Sequence, residues 1–369
     1  TIIQNIYTSM IYIIGLQITC EWNENNCTYP ITSIRATQAI QLTTNQKIWY
    51  FCFIGRHLFS DTMIDQDIDF TTCKQNQPVL LSLFQTGDFI SNLHIRSTVK
   101  IPANSQFNGI LGLVQSTVYL SHCKIQIELD GHASNAVGIA QLIDQLYIFD
   151  VAFDFRASGD EVFGLTDTVS SDCEIVRLDL TLIAVFALES HGLGRTISNL
   201  KIKVSQLIIQ QSTSSTDQSS ASAFGLAYGT QLVEACYISY SMSGKFTNVA
   251  AITNLANQDP VASVTVRDSV LDLQIRSYNV VGGLVGLVSN KSASSGSITL
   301  RNLKMQGAID CRDALNQPVL SCSQVAGNVN EGAGVRLVLG NISSTVCGPA
   351  RVSNQQQTDP EVRIDQTGC

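Results

Sequence analysis

The sequence predicts an all-β protein, a β-solenoid (β-helix) with disulfide-stapled terminal caps. Two observations support this fold class. A turn of small and apolar residues recurs along the chain and is clearest at residues 280–288, VVGGLVGLV. An alternating apolar strand lies roughly midway between successive turns. A repeat of roughly 20 to 50 residues with one such strand per unit is typical of a stacked array.

Each turn is marked by a glycine or alanine beside a large apolar residue. The steps from Gly112 to Gly138, from Gly138 to Gly164 and from Gly225 to Ala251 are all 26 residues. The predicted turn positions are Gly112, Gly138, Gly164, Ala187, Gly225, Ala251 and Gly283. Equivalent residues of successive coils stack about 4.8 Å apart, so an inward corner leaves little room for a side chain.

The strands between the turns alternate with a period of two, which indicates one buried and one solvated face. They are predicted at residues 93–95, 123–127, 151–155, 176–180, 200–204, 237–240, 270–275 and 298–300. A β-sandwich with glycine turns is the alternative. Its strands recur about every 8 to 12 residues without a longer self-similarity, so the spacing favours the solenoid.

The composition limits the classes of partner. The 369 residues are 44% hydrophobic and 14% charged, with a net charge of −8. The acidic balance argues against nucleic acid as a partner. No stretch reaches the roughly 18 apolar residues that a transmembrane helix needs, so we expect no membrane span.

Three of the eleven cysteines, Cys123, Cys173 and Cys236, lie within the repeats. Each precedes a predicted turn by 14 or 15 residues, so we expect all three in one structural position. Cysteines two coils apart would be about 9.6 Å from each other, beyond disulfide reach. We therefore predict buried free thiols that pack as small apolar residues.

The other eight cysteines lie four at each end of the chain, where a solenoid needs protection of its edges. They are Cys20, Cys27, Cys52 and Cys73, and Cys311, Cys322, Cys347 and Cys369. Nearest-neighbour pairing is the preferred arrangement: Cys20 with Cys27, Cys52 with Cys73, Cys311 with Cys322, and Cys347 with Cys369. Four cysteines allow three connectivities at each end.

Three N-glycosylation sequons begin at Asn26, Asn290 and Asn341. Together with the cysteines they indicate a secreted, extracellular protein that is associated with the cell surface.

The chain divides into four predicted segments. Residues 1–19 are uncharged and β-branched, and are interpreted as an extended strand that a neighbouring subunit could accept. A signal-peptide core and the first strand of the cap are the alternatives for this segment. Residues 20–88 are assigned to an N-terminal cap with irregular coils, 89–310 to the repeats, and 311–369 to a C-terminal cap and tail.

The sequence contains no recognisable motif for catalysis, metal binding or cofactor binding. The five histidines, His57, His94, His122, His132 and His191, show no metal-ligand spacing. The acidic residues Asp150, Asp154, Asp160 and Glu161, with Arg156 among them, suggest comparison with polysaccharide-cleaving β-helix enzymes. Solvated strand and loop positions explain them better, because their spacing is irregular.

The steps Gly283-Leu284-Val285-Gly286 and Gly109-Ile110-Leu111-Gly112 resemble the GLUG-type repeat of bacterial and protist surface proteins. The resemblance covers about residues 89–330. The composition, rich in serine, isoleucine and cysteine, is also similar to that of secreted proteins of flagellated protists. These resemblances imply a β-solenoid with a cell-surface or flagellar-coat role, and they transfer no catalytic residue.

Three functions follow, in order of preference. The first is a non-enzymatic extracellular subunit of a filament or coat, which self-associates through its solenoid ends or its N-terminal strand. The second is an adhesin that binds glycans or a host surface, which an exposed aromatic ladder would favour. The third is a polysaccharide-cleaving enzyme, which needs carboxylates clustered in a groove.

Overall fold

The computed structural model describes residues 88–347, with gaps at 115–116, 214–221, 245, 247, 254–262, 278–279, 289–296, 312–321, 325 and 330–335. Before residue 88 it describes Asp67, Thr71 and the strands named below. These residues form an all-β β-solenoid and include no helix. The solenoid fold predicted from the turns and alternating strands is therefore confirmed.

The strands are numbered in chain order. The first sixteen are β1 Ile11–Ile13, β2 Leu16–Cys20, β3 Ile31–Arg35, β4 Phe51–Phe53, β5 Leu58–Phe59, β6 Thr62–Asp65, β7 Ile68–Asp69, β8 Leu81–Leu83, β9 Asp88–Ser91, β10 Leu93–Lys100, β11 Ser105–Phe107, β12 Gly112–Leu113, β13 Thr117–Ser121, β14 Lys124–Val137, β15 Ala140–Ile143 and β16 Gln145–Phe163. The others are β17 Thr166–Val185, β18 Glu189–His191, β19 Gly194–Lys203, β20 Gln206–Ser212, β21 Ser222–Phe224, β22 Tyr228–Glu234, β23 Tyr237–Ser243, β24 Asn248–Ala250, β25 Ser263–Ser277, β26 Val280–Gly282, β27 Val285–Val288, β28 Ser297–Cys311, β29 Cys322–Ser323, β30 Ala326–Val329 and β31 Arg336–Cys347.

The chain packs as two compact units, Thr1–Ser170 and Ser171–Cys369. This division leaves the predicted segments 20–88, 89–310 and 311–369 as predictions. Within residues 1–19 the described strands β1 and β2 pair antiparallel, and β2 also pairs antiparallel with β3. The interpretation of residues 1–19 as a whole remains a prediction.

Parallel pairing of successive coils builds the first unit. Ile95 of β10 lies opposite Ile64 of β6 and Ile125 of β14, and Ile125 lies opposite Phe153 of β16. Ile95, Ile125 and Phe153 are buried. Burial alternates residue by residue along β10, as the period-two pattern predicts.

The second unit repeats the arrangement, with its core built from side-chain ladders. One ladder contains Leu180, Leu207, Ile238, Leu271 and Met305, all in register across adjacent strands and all buried. Each coil places several strands around this core, which is more than the single alternating strand per repeat that the sequence pattern predicts.

A left-handed backbone corner recurs from coil to coil, either between two strands or inside one long strand. The corner residue has a φ between +49° and +58°. In the first unit the corner residues are Asn92, His122 and Asp150, and in the second unit they are Arg177, Val204, Ala235, Asp268, Asn302 and Asn341. Backbone hydrogen bonds continue through the corner, since the N–H of His122 donates to the carbonyl of Phe149 (3.1 Å).

The small turn forms a second ladder, and the structure corrects two of its predicted members. Phe107 pairs with Ala136, which places Gly109 rather than Gly112 opposite Gly138. His191 pairs with Phe224, which places Gly192 rather than Ala187 opposite Gly225. The ladder of the second unit is Gly192, Gly225, Ala251 and Gly283. The apparent 26-residue step from Gly112 selected the wrong glycine because coil length varies.

Replacement of Val204 by asparagine is expected to stabilise the protein. Val204 is 60% exposed and holds a φ of +49°, a region that costs a β-branched residue about 1 to 2 kcal/mol. Asparagine tolerates this conformation, so the free energy of unfolding of Val204→Asn should rise by about 1 kcal/mol. Urea unfolding measures the change. The reverse exchange Asn302→Val, at the equivalent corner, should lower stability, and a less stable Val204→Asn variant would refute the strain at this corner.

Replacement of Gly225 by alanine should disrupt the turn ladder. A Cβ at Gly225 would overlap the carbonyl oxygen of Ala251 in the next coil. We expect a loss of about 3 kcal/mol in the free energy of unfolding, because backbone must shift. Ala251→Gly in the same ladder is the control and should cost only about 1 kcal/mol. Equal losses in urea unfolding would show that close approach is not what selects glycine at Gly225.

Candidate functional site

Polar side chains stack at the left-handed corners. In the first unit His122 Nδ1 lies 3.1 Å from Asp150 Oδ2. In the second unit Asn302 Nδ2 donates to Asp268 Oδ1 (2.8 Å), and Asn341 Nδ2 donates to Asn302 Oδ1 (3.0 Å). Asparagine and aspartate are enriched in left-handed conformations, which explains why they recur here. The ladder joins neighbouring coils and uses the polar side chains within the stack.

The residue after the corner points inward and satisfies backbone groups. Ser205 Oγ accepts from the N–H of Leu178 (3.0 Å) and donates to the carbonyl of Lys203 (2.8 Å). Ser269 Oγ makes the equivalent pair of bonds, accepting from the N–H of Cys236 and donating to the carbonyl of Arg267. A small side chain with a donor suits this position.

Two of the three repeat cysteines occupy the position directly after a left-handed corner, and the third does not. Cys123 and Cys236 follow corners, and the thiol of each points to the carbonyl two residues earlier, at 3.2 Å. Cys173 lies four residues before the corner at Arg177, so the prediction that all three share one position is wrong for Cys173. All three are buried free thiols, as predicted. Burial raises the pKa of each thiol.

The acidic residues of the first unit are engaged with separate neighbours. Arg156 donates to both carboxylate oxygens of Asp154 (3.2 Å each). Asn135 Nδ2 donates to Glu161 Oε2 (2.8 Å). Asp150 belongs to the corner ladder. The four carboxylates therefore lie along one strand, β16, and each has its own partner. They are paired, partly solvated strand residues.

One of these carboxylates belongs to a three-residue cluster. His132 of β14 lies opposite Ser158 of β16, with 3.0 Å between Nδ1 and Ser158 Oγ. The other ring nitrogen, Nε2, lies 3.2 Å from Asp160 Oδ1. His132 therefore bridges a hydroxyl and a carboxylate of the next coil.

His191 forms a more deeply buried cluster in the second unit. Its side chain is fully buried beside Phe224 and Tyr228, with ring centroids 5.0 Å and 5.1 Å away. Nε2 lies 3.1 Å from Glu189 Oε1, and Arg195 Nε lies 3.4 Å from the same oxygen. Burial opposes ionisation of Glu189, but the hydrogen bond with His191 and the charges of His191 and Arg195 outweigh it, so the pKa of Glu189 is lowered.

The place of His191 in the turn explains its burial. It precedes Gly192 as Phe224 precedes Gly225, so it fills an inward position of the turn. The sequence His191-Gly192-Leu193 matches Phe224-Gly225-Leu226 with histidine in place of phenylalanine. That local match is the signal that could have identified this turn.

An aromatic pair lies on the outer face of the first unit. Tyr119 and Tyr147 are half-buried and stack with ring centroids 4.8 Å apart and planes 10° apart. Phe149, 41% exposed, meets the ring of His122 edge-on at 5.7 Å. The stack covers one face of each tyrosine ring.

The predicted cap cysteines and sequons are only partly described. No side chain is described for Cys20, Cys52 or Cys322, and Cys27, Cys73, Cys369, Asn26 and Asn290 lie outside the described residues. Asn341 is exposed at its corner, and Ser343 of the same sequon is exposed as well. The four predicted disulfide pairings remain predictions.

The buried thiols should resist alkylation in the native protein. The thiolate is the reactive form, and burial both raises the pKa and blocks access. Iodoacetamide at pH 8 followed by peptide mass spectrometry should leave Cys123, Cys173 and Cys236 unmodified, and all three should react in urea. Rapid native labelling of any of them would contradict its buried position.

Two further properties concern the described residues alone. Among them, no three histidine, cysteine, aspartate or glutamate side chains converge to hold a metal ion. The same part of the chain has no helix of the length and apolar character needed to cross a membrane.

Comparison with known proteins returns no relative: no protein-family model, no curated protein and no solved structure matches this chain.

Proposed function

We propose that this chain is a structural extracellular protein, a subunit of a surface filament or coat that assembles through its solenoid ends or a donated N-terminal strand. The main supporting observation is the edge of β31. Within the described residues, this twelve-residue strand pairs with β28 and with no second strand. Unpaired N–H and C=O groups along a strand edge can accept a strand of another chain.

The outer face of the second unit supports the same role. Across β20, β23 and β31 the outward positions include Gln206, Gln210, Ser239, Ser241 and Thr345. These neutral side chains carry no charge that would repel a second copy, and the intervening strands β25 and β28 add Asp272 and Lys304, which have opposite charges. The low overall charged fraction of 14% is consistent with close packing of subunits.

Strand donation by residues 1–19 requires the first strands to separate from each other. Leu16–Cys20 is paired on both sides, with β1 and with β3. Donation therefore requires this small antiparallel sheet to open, whereas stacking on the edge of β31 requires no such change. The structure favours the end-stacking variant of the proposal.

The proposed secretion, disulfide caps and glycosylation fit this role. Cys311 ends β28 and Cys347 ends the adjacent strand β31, so two of the predicted cap cysteines lie at the last described coil. Asn341 is exposed within a sequon, which supports a glycan at this corner. The resemblance to GLUG-type surface repeats points to the same compartment.

The two other functions have weaker support. An adhesin that binds glycans would use an open aromatic face, and the stacking of Tyr119 on Tyr147 covers the faces between them. A polysaccharide-cleaving site would group its carboxylates, and Asp154 and Glu161 have separate partners. The role as an assembly subunit requires no catalysis and no cofactor.

Assembly through the β31 edge predicts that charge at this edge blocks fibres. We expect the secreted protein to form ordered fibres in negative-stain microscopy. The double variant Ser343→Lys, Thr345→Lys should remain monomeric, because lysines repel at a paired edge. The matched control Gln206→Lys, Ile208→Lys changes the equivalent positions of the internal strand β20 and should still form fibres.

A truncation separates the two assembly routes. Removal of residues 1–19 should leave the fibres intact if the edge of β31 is the contact. Fibres that vanish on truncation but survive the lysine variant would establish strand donation instead. Monodisperse monomers of the untruncated protein would refute assembly altogether.

Occupancy of the sequon at Asn341 is a separate expectation. Native secreted material should lose the mass of a glycan from the peptide containing Asn341 after treatment with an N-glycosidase. Asn341→Gln and Ser343→Ala should both abolish this mass change. Asn302→Gln, at the neighbouring corner without a sequon, is the control and should leave it unchanged.

A further inference from the structure

We propose that Ser158, His132 and Asp160 form a nucleophilic acyl-transfer site in which the hydroxyl of Ser158 attacks carboxylic esters. The proposal concerns the outer face of the first unit and is independent of assembly.

The two contacts of His132 satisfy the geometric requirements of an activated serine. Nucleophile and base must lie within about 2.6 to 3.2 Å, and a third group must orient the base. Ser158 Oγ lies 3.0 Å from Nδ1, and Asp160 Oδ1 lies 3.2 Å from Nε2. Both separations fall in this range.

The carboxylate selects the ring tautomer that activates Ser158. A carboxylate only accepts hydrogen bonds, so the neutral imidazole places its proton on Nε2 and donates it to Asp160. Nδ1 then has a lone pair and accepts the proton of the Ser158 hydroxyl. Asp160 also stabilises the imidazolium that forms when this proton is transferred.

The solenoid backbone fixes the positions of all three groups. Ser158 and Asp160 are two residues apart on β16 and point to the same face. His132 is held opposite Ser158 by the parallel pairing of β14 with β16. Gly159, between the two, packs closely on the preceding coil, since a Cβ there would lie 2.8 Å from the carbonyl oxygen of Ala133. Sites on paired strands are held more precisely than sites on loops.

Neighbouring charged groups leave the cluster intact. Glu161 accepts a hydrogen bond from Asn135 (2.8 Å), and Asp154 is paired with Arg156 (3.2 Å). Asp160 is therefore the carboxylate in described contact with the His132 ring. Its charge is accessible to solvent, as 49% of the Asp160 side chain and 38% of the His132 side chain are exposed.

The exposure indicates the class of substrate. Ser158 itself is half-buried on the same face, beside the partly exposed side chains of His132 and Asp160. Such a site suits an ester group carried on an extended polymer or on a neighbouring surface molecule, which needs no enclosing pocket.

The reaction needs no reactant other than the ester and water. Ser158 Oγ forms a bond to the carbonyl carbon of the ester while His132 takes the hydroxyl proton. The bond from the carbonyl carbon to the alcohol oxygen then breaks, and His132 gives the proton to the leaving alcohol. Water, deprotonated by His132, releases the carboxylic acid from Ser158 and restores the hydroxyl.

A covalent probe tests the site on the full-length protein. A fluorophosphonate should label Ser158, located by peptide mass spectrometry, and p-nitrophenyl acetate should be hydrolysed. Ser158→Ala should abolish both, and His132→Gln should slow both by about 100-fold, the contribution of a general base. Asp160→Asn should also slow both.

The chain supplies two matched controls. Ser170 Oγ donates to Asp144 Oδ1 (2.9 Å) with no histidine among its described contacts, so Ser170→Ala should label as the wild type does. His122 pairs with Asp150 with no serine in that described pair, so His122→Gln should also have no effect. Thermal unfolding midpoints of all variants check that each one folds.

A pH profile distinguishes activation from mere exposure. The labelling rate of the wild type should show one downward step on acidification, since protonated imidazole has no accepting lone pair. The residual labelling of His132→Gln should lack this step. Absence of label on Ser158, equal labelling in Ser158→Ala, or an unchanged rate in His132→Gln would each overturn the proposal.

Discussion

The structure depends on one constraint, the parallel register of each coil with the next. In the paired strands, buried side chains of one coil lie above equivalent side chains of the next, so each of them must fit a column of residues rather than a single cavity. Leu180, Leu207 and Ile238 show the result, since all three are apolar, similar in size and fully or almost fully buried. The corner and the turn obey the same constraint through different chemistry, a left-handed backbone at one and a missing side chain at the other.

Some buried positions of the core are occupied by polar residues that hydrogen-bond to one another. In the second unit Tyr240 donates to Gln211 Oε1 (2.8 Å), and Gln211 Nε2 donates to Ser190 Oγ (2.9 Å). All three residues are buried, so burial raises the pKa of Tyr240 and the network keeps its hydroxyl hydrogen-bonded. Burial of such a polar network costs little free energy when each member is hydrogen-bonded. The hydrogen bonds also specify which coils can be neighbours.

The sequence predicts those parts of the fold that depend on local pattern. Period-two alternation located the strands, and small residues located most turns. The small-residue pattern selected Gly112 and Ala187 wrongly because coil length varies. Only the strand pairing shows which turn residues lie opposite each other. The sequence pattern missed the corners because the backbone there accepts Arg177, Val204 and Ala235 as well as asparagine, which leaves no consistent residue type. The cluster of His132, Ser158 and Asp160 could not be found from spacing, since it joins residues 26 and 28 apart through that same register.

Register also governs how the chain can reach its native state. The paired residues of adjacent coils are separated by about one repeat, for example 28 residues between His122 and Asp150 and 34 between Asn302 and Asp268. Each coil therefore completes its contacts as soon as the next one has been synthesised, and ordering can spread from any formed pair of coils to its neighbours. A nascent chain of this kind folds one coil at a time. A disruptive substitution in one coil stops the propagation of folding at that coil, while the coils already stacked keep their contacts.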